Sequence, residues 1–161
     1  MKSICFTGHR TLSGNIKTLS EDLENKLQRA ILNGGITDFY AGGAYGWDML
    51  AEKAVISLRD TQYPHIKLHL ILPCRSDQQT NGWSSVNIIL YNSVLELADS
   101  IEYTAYDYYN GCMKARNARL VAKADCCLCY LDPSKQSSGT AQTVRMALRK
   151  GITVYNFFNK Y

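Results

Sequence analysis

Three glycines stand directly before a predicted helix in the segment Gly42-Gly43-Ala44-Tyr45-Gly46-Trp47-Asp48. Glycine allows main-chain amides to approach a ligand closely, and the first turn of a helix presents unpaired N–H groups to an anion. The segment matches neither G-x-G-x-x-G nor G-x-x-x-x-G-K-[ST], which excludes an ordinary P-loop NTPase. The alternative is a tight turn from strand to helix, in which Asp48 favours the helix dipole. The residues predicted here to bind phosphate are Gly42, Gly43, Ala44, Gly46 and Asp48.

Three other segments offer groups that bind anions. Thr7-Gly8-His9-Arg10 combines a hydroxyl, a permissive glycine and two side chains that can carry positive charge. Ser138-Gly139-Thr140 repeats the glycine turn at another predicted helix start, and Arg116 with Asn117 lies in the first turns of a third helix. Arginine suits phosphate and carboxylate oxygens because its guanidinium donates hydrogen bonds in a fixed fork. The alternatives are a loop salt bridge for Arg10 and a solvated helix face for Arg116.

Short apolar runs alternate with segments of helical periodicity along the chain. The runs predict strands at 4–7, 38–41, 67–72, 100–103, 126–131 and 152–157. The periodic segments predict helices at about 18–34, 46–58, 85–98, 113–123 and 140–150. The first helix begins with a Thr18-x-x-Glu21 capping box and ends at Gly34-Gly35. The third helix is predicted to turn one stripe inward, formed by Val86, Ile89, Leu90, Val94 and Leu97.

This order of elements predicts an α/β fold, with residues 1–161 as a single Rossmann-like domain. Its sheet is expected to be doubly wound and mainly parallel, with helices on both faces. Ligands of such folds bind outside the carboxyl ends of the strands. Thr7–Arg10 follows the first strand, Gly42–Asp48 the second, Pro73 the third, and Ser138-Gly139-Thr140 comes after the fifth. Topology alone therefore places these segments at one edge of the sheet.

The composition is that of an ordinary globular protein. Its 161 residues are 46% hydrophobic and 20% charged, with a mean hydropathy of -0.22. No apolar run approaches the roughly 20 residues of a membrane span, and Thr7 ends the first apolar run too early for a signal peptide. We therefore expect a cytoplasmic protein with no membrane partner.

Net charge and cysteine spacing indicate which kinds of partner the protein is expected to bind. The 18 Lys and Arg against 14 Asp and Glu give a net charge of +4 and a pI of about 8.7. Nucleic-acid-binding domains typically have a pI above roughly 9, and this pI is lower. Nucleic acid is therefore not expected as a partner. The 6 cysteines lack the spacing of a secreted disulfide framework or a zinc site. Reduced, mostly buried thiols are expected, with no metal and no cofactor.

An aromatic cluster follows the predicted fourth strand, at Tyr103, Tyr106, Tyr108 and Tyr109. Such rings stack on a nucleobase or pack against a partner chain. We favour packing or an interface, which would make the protein a homodimer. Trp83, before the third helix, either closes over the cleft or belongs to the core.

Together these motifs resemble those of the SLOG superfamily of Rossmann-like proteins, specifically its YpsA-like members. The similarity runs from Ile4 to about Tyr155. The superfamily includes the Lonely Guy phosphoribohydrolases, which release a cytokinin base from its nucleoside monophosphate, and the DprA DNA-processing proteins. The resemblance implies a pocket for nucleotides or nucleotide-derived ligands. The motifs that carry it are Cys5-Phe6-Thr7-Gly8-His9-Arg10, Gly42-Gly43-Ala44-x-Gly46-x-Asp48, Leu72-Pro73-Cys74, Tyr109-x-Gly111-Cys112-Met113-x-x-Arg116-Asn117 and Ser138-Gly139-Thr140-Ala141-x-Thr143.

Two motifs compare directly with those of the Lonely Guy family. Met113-x-x-Arg116-Asn117-x-x-Leu120 is similar to M-x-x-R-K-x-x-M, with Asn117 in place of the lysine. Gly139-Thr140-Ala141-Gln142-Thr143 is similar to the end of P-G-G-x-G-T-x-x-E, with Thr143 in place of the glutamate. Cleavage of an N-glycosidic bond usually needs a carboxylate near the ribose, which threonine cannot replace. Asp48, on the opposite loop, is the residue that can supply one.

Three functions are consistent with this sequence. The first is a nucleotide or nucleotide-derivative binding protein, such as a ligand sensor, in which Arg10 and Arg116 neutralise phosphate. The second is a phosphoribohydrolase-like enzyme whose candidate catalytic residues are Arg116, which positions phosphate, and Asp48, which acts as acid or base. The third is DprA-like binding of single-stranded DNA, which the modest charge disfavours.

Overall fold

Six parallel strands form one sheet in the computed structural model, which describes residues 2–158. The strands are β1 (Ser3–Gly8), β2 (Asp38–Ala41), β3 (Lys67–Leu72), β4 (Ser100–Tyr103), β5 (Cys126–Tyr130) and β6 (Thr153–Asn156). The helices are α1 (Ile16–Gly34), α2 (Trp47–Thr61), α3 (Ser76–Gln79), α4 (Ser85–Leu97), α5 (Cys112–Lys123) and α6 (Gly139–Lys150). Five helices and all six strands agree with the sequence-based prediction to within a few residues, and the short α3 was not predicted.

The sheet has the order β4-β3-β2-β1-β5-β6, and every neighbouring pair is parallel. The chain moves outward from β1 to β4, returns through α5 to the other side of β1, and ends at β6. Helices α1, α2 and α4 cover one face, while α5 and α6 cover the other. The predicted doubly wound Rossmann-like fold is therefore confirmed. Its switch point lies between β1 and β5, where such folds form a crevice.

Each face of the sheet has its own apolar core. Under α1 and α2 the core includes Leu23, Phe39 and Trp47, all fully buried. Under α5 and α6 it is smaller and includes Cys5 and Cys127, which are direct neighbours on adjacent strands. These thiols are free and buried, as expected from the sequence.

Helix α1 begins three residues earlier than the capping box predicts. Asn15 is the N-cap, and its side chain accepts a hydrogen bond of 3.1 Å from the amide of Thr18. Thr18 therefore lies in the first turn and does not cap the helix. The predicted C-terminal end is confirmed, because Gly35 adopts the left-handed conformation with φ of 65° that ends a helix.

Helix α4 buries a different stripe from the one that the sequence predicts. Tyr91 and Val94 are its buried residues, while Val86, Ile89 and Leu97 are 63%, 66% and 44% exposed. The helix lies at the periphery, where it packs against α2 beside the edge of the sheet. Only a narrow stripe of a helix in this position has a neighbour, so the inward placement of three of its five predicted residues is wrong.

Residues 2–158 contain neither a membrane-spanning helix nor a cluster of metal-binding side chains. No helix in this range is both long and apolar enough to cross a bilayer. The same range has no cluster of three or more His, Cys, Asp or Glu side chains that could hold a metal ion.

Candidate functional site

A cavity of about 260 Å³ opens at the carboxyl end of β1, between the starts of α2, α5 and α6. Its position is the switch point of the sheet, where ligands of doubly wound folds bind. All four segments that the sequence predicts to bind anions contribute to its wall. The lining residues are Phe6, Thr7, Gly8, His9, Arg10, Ala44, Asp48, Met113, Arg116, Asn117, Leu120, Ser138, Gly139 and Thr140.

Four residues predicted to bind phosphate do not line this cavity: Gly42, Gly43, Gly46 and Pro73. Two of these glycines allow close packing instead. A Cβ at Gly42 would overlap the guanidinium of Arg116, and a Cβ at Gly46 would overlap the main chain of Arg10. Gly46 also has φ of 85°, a conformation that L side chains rarely adopt. Gly42 and Gly46 therefore allow the chain to pack closely next to the cavity, which the same segment lines with Ala44 and Asp48.

Arg116 is the most unusual residue of the cavity, because it is a cation that is only 7% exposed. Its Nη1 donates to the carbonyl of Gly42, and its Nε donates to Oδ1 of Asn117 at 2.8 Å. Its Nη2 lies 3.7 Å from the sulfur of Met113. These contacts fix the direction of the guanidinium, and all three partners are neutral.

A full counter-ion for Arg116 is missing within residues 2–158. No carboxylate oxygen in this range lies within 4.0 Å of its guanidinium nitrogens. Burial lowers the pKa of Arg116, and the charge of Asp48, at longer range, partly offsets this effect. An arginine remains protonated in proteins, so the side chain is a buried positive charge on the cavity wall. Buried charges of this kind are usually paired.

Asp48 and Glu52 form a buried acidic pair one turn apart on α2. Asp48 Oδ2 accepts a hydrogen bond of 3.4 Å from the amide of Ala44, and Glu52 Oε1 accepts one of 3.0 Å from the amide of Gly43. The other oxygen of each carboxyl group has no hydrogen-bond partner within residues 2–158. Burial raises the pKa of Asp48 to about 6, with Arg116 opposing the shift, and raises that of Glu52 well above its usual range. Both carboxyls hold the glycine segment in place, and Asp48 also faces the cavity.

The start of α6 forms another part of the cavity wall. Ser138 is the N-cap, and its hydroxyl oxygen accepts a hydrogen bond of 3.1 Å from the amide of Ala141. The amides of Gly139 and Thr140 have no protein acceptor within residues 2–158. These two N–H groups, together with the positive end of the helix dipole, are suited to bind an anion.

His9 and Arg10 have different roles at the end of β1. His9 Nε2 accepts a hydrogen bond of 2.9 Å from the amide of Asp132, which only an unprotonated nitrogen can do. Burial lowers the pKa of His9, and the charge of Lys135 lowers it further. His9 is thus a neutral loop contact, so the expected second cation is absent there. Arg10 lies at the mouth of the cavity, and its Cζ is 5.0 Å from the ring centre of Tyr45.

Thr143 cannot act in the place of a glutamate. Its side chain is fully buried, and its hydroxyl donates a hydrogen bond of 2.8 Å to the carbonyl of Gly139. It does not line the cavity. Asp48 is the carboxylate that does, as the sequence comparison indicated.

Two residues that shape the site were missed at the sequence level. Glu52 holds Gly43, and Gln79 Nε2 donates a hydrogen bond of 3.0 Å to the carbonyl of Gly42. Gln79 is itself held by the hydroxyl of Tyr91, which donates to its Oε1 at 3.0 Å. The available signal for Glu52 is its spacing of four residues from Asp48, which places two acids on one face of α2. Gln79 has no comparable signal in the sequence.

Comparison with known proteins agrees with the fold and the motifs. The family model of the YspA SLOG family matches residues 5–157. This chain belongs to that family. A UPF0398 protein of Shouchella clausii is 34% identical over 122 residues, which cover 74% of this chain and 63% of the relative. A UPF0398 protein of Halalkalibacterium halodurans is 30% identical over 148 residues, or 86% of this chain and 76% of the relative. This SLOG chain thus matches less than two thirds of the first relative and about three quarters of the second.

The crystal structure of the protein TM1055 has a similar fold. It superimposes with a TM-score of 0.57 and 18% sequence identity, over 96% of this chain and 72% of the other. At this identity the similarity supports the Rossmann-like architecture of the SLOG chain and nothing more specific.

Proposed function

We propose that this SLOG protein binds the phosphate group of a nucleotide or nucleotide derivative in the cavity at the switch point, and that it acts as a ligand sensor. The observation that supports this proposal is the buried charge of Arg116, which has no carboxylate within 4.0 Å in residues 2–158. A phosphate would supply the missing negative charge.

The start of α6 supports the same ligand. The amides of Gly139 and Thr140 belong to residues that line the same cavity as Arg116. A phosphate between them accepts main-chain hydrogen bonds on one side and guanidinium hydrogen bonds on the other. Asp48, at the start of α2, is the acidic residue that lines the cavity beside these donors.

Thermal shift measurements with AMP, ribose 5-phosphate and inorganic phosphate test this proposal. A ligand at 100 times its dissociation constant adds about 2.7 kcal/mol to the free energy of unfolding. For a protein of this size the melting temperature should rise by roughly 5 to 10 °C. No shift with any of the three at millimolar concentration would contradict the proposal.

Substitution of Arg116 tests whether phosphate binds in this cavity. Arg116→Gln should weaken phosphate binding by about 1.5 to 3 kcal/mol, because a charged hydrogen-bond donor is lost. Arg119→Gln is the matched control, since Arg119 lies on the exposed side of the same helix and pairs with Glu102 at 2.7 Å. Equal affinity of the two variants would show that phosphate binds elsewhere.

A second function is supported by Asp48. Asp48 lines the cavity, and its pKa of about 6 is suited to proton transfer near neutral pH. In this alternative, Arg116 holds the phosphate of a nucleoside monophosphate while Asp48 acts as acid or base in cleavage of the N-glycosidic bond.

The release of free base from nucleoside monophosphates separates the enzyme from the binding protein. A binding protein releases no base above background. If base appears, Asp48→Asn should lower the rate by about 10²- to 10⁴-fold, the usual contribution of a general acid or base. Turnover that is unchanged in Asp48→Asn would exclude Asp48 from the chemistry.

A further inference from the structure

A second cavity, of about 430 Å³, adjoins the phosphate cavity. Arg10 and Met113 line both, so they form the boundary between the two. Its other walls come from α3 with the loop after it, and from the loop between β4 and α5. Its aromatic surface comes from Trp83, in the loop after α3, and from Tyr108, in the loop between β4 and α5.

Hydrogen bonds and ion pairs connect the two walls. Gln78 Oε1 accepts a hydrogen bond from the amide of Tyr108, and Gln78 Nε2 donates to Oδ1 of Asp107 at 3.1 Å. The amide of Arg75 donates to the carbonyl of Tyr106 at 3.2 Å, and its side chain forms an ion pair of 3.5 Å with Asp107. The loop that carries Tyr108 is therefore attached to α3 by specific contacts, so the second cavity is a built feature of the fold.

The two aromatic rings of this cavity differ in their packing against other rings. Trp83 packs edge-on against Tyr45 and Tyr91, with ring centres 4.9 Å and 5.6 Å apart. These contacts hold the indole in place at the cavity wall. Tyr108 is 57% exposed, and its ring makes no ring contact within residues 2–158. An exposed ring in a polar cavity is available to stack on a flat ligand.

The charge at the boundary matches the adjoining phosphate site. The guanidinium of Arg10 lies 5.0 Å from the ring centre of Tyr45 and 5.6 Å from that of Trp83. Arg10 forms no ion pair within residues 2–158. A cation between an aromatic cavity and a phosphate cavity is suited to a ligand that joins a ring to a phosphate.

We propose that the second cavity binds the nucleobase of the ligand, stacked on Tyr108 and beside Trp83, while the phosphate occupies the first cavity and Arg10 lies between them. This inference rests on the proposed function and specifies its ligand as an intact nucleoside phosphate. The side chains of Asp77 and Asn81 on the same wall supply an acceptor and an amide for the polar edge of the base.

Calorimetric titration of the whole chain with AMP, ribose 5-phosphate and inorganic phosphate tests this inference. We expect AMP to bind roughly tenfold or more tightly than ribose 5-phosphate, a factor typical of stacking one base on an aromatic ring. Tyr108→Ala should remove most of this difference and leave the affinity for ribose 5-phosphate unchanged. Tyr109→Ala is the matched control, because Tyr109 is the next residue of the same loop and lies outside this cavity; it should preserve the difference.

Tryptophan fluorescence gives an independent measurement. Trp47 is fully buried in the core, whereas Trp83 lines the second cavity. AMP should quench the emission, ribose 5-phosphate should not, and Trp83→Phe should abolish the change.

The outcomes separate this inference from the proposed function. Equal affinity for AMP and ribose 5-phosphate, with both dependent on Arg116, would overturn the nucleobase site and retain phosphate binding. Weakening of both ligands to the same degree in Tyr108→Ala would also overturn it. Failure of all three ligands to bind would overturn both proposals.

Discussion

Arg116, Asp48 and Glu52 place three ionisable groups in the interior without forming a close ion pair among them. The guanidinium is bound to the carbonyl of Gly42, and the carboxyls are bound to the amides of the same glycine segment. Each group is therefore held by the main chain and kept partly uncompensated. Such an arrangement lowers the stability of the folded chain, a cost that is common at binding sites.

Because the pKa of Asp48 is raised, the free energy of unfolding should depend on pH. Burial raises its pKa from 3.8 to about 6, so between these values the folded chain binds more protons than the unfolded chain. The free energy of unfolding therefore falls as pH rises through this range and levels off above about pH 6. We expect Asp48→Asn to stabilise the protein at pH 7.5, by up to about 3 kcal/mol, and to have little effect at pH 4.

Urea unfolding of both proteins at the two pH values measures this effect. Glu21→Gln, on the exposed side of α1 and in no ion pair within residues 2–158, is the control and should change the free energy of unfolding by no more than about 0.5 kcal/mol at either pH. A stabilisation by Asp48→Asn that does not depend on pH would show that the carboxyl is not held at a raised pKa.

Helices α2, α5 and α6 all begin at the cavity of the switch point, because each follows the carboxyl end of a parallel strand. The far ends of α5 and α6 are joined by Lys150, whose Nζ donates to the carbonyls of Val121, Ala122 and Ala124 at 2.9, 3.1 and 2.6 Å. A lysine near a helix C-terminus also interacts favourably with the dipole. This contact fixes the end of α5 against the end of α6.

Helix α4 provides a direct comparison of buried and exposed apolar residues. Val94 is 3% exposed, whereas Ile89 is 66% exposed on the same helix. Val94→Ala should cost about 1.5 to 3 kcal/mol, from the lost methyl groups and the remaining cavity. Ile89→Ser should change stability by no more than about 0.5 kcal/mol. Denaturant titration of each variant checks this, and a large loss in Ile89→Ser would show that this side of α4 is covered in solution.

The sheet as a whole is organised around β1, which pairs with β2 on one side and with β5 on the other. The edge strands β4 and β6 each pair with one neighbour. The candidate site lies at the end of β1, one of the two central strands, so its base is supported by strands on both sides.

Hydrogen exchange should reflect this organisation. Amides of Ile4, Cys5 and Phe6 should exchange only through global unfolding, because they are buried in the middle of the sheet. Amides of Ile101 in β4 and Val154 in β6 should exchange faster, through local opening at the edges. Native-state exchange followed by NMR measures both groups in one sample. Equally slow exchange at β4 would indicate that another chain covers this edge.

The order of strands and helices could be predicted from the sequence, because the periodicity of apolar residues is a local property. The location of the site followed from the same order. Parallel strands bring their carboxyl ends to one edge of the sheet, so Thr7–Arg10, Gly42–Asp48 and Ser138-Gly139-Thr140 had to meet there. Even Arg116 could be named, from its helix position and its motif.

Tertiary packing alone decided how these residues are used. Arg116 and Gly42 are 74 positions apart, so the sequence shows neither their hydrogen bond nor the burial that makes the guanidinium an unpaired charge. The neutral state of His9 likewise depends on the amide of Asp132. Burial and hydrogen bonding set charge states and pKa values, and both are properties of contacts between distant segments. The sequence thus determined which groups reach the edge of the sheet, and packing determined which of them line the cavity and with what charge.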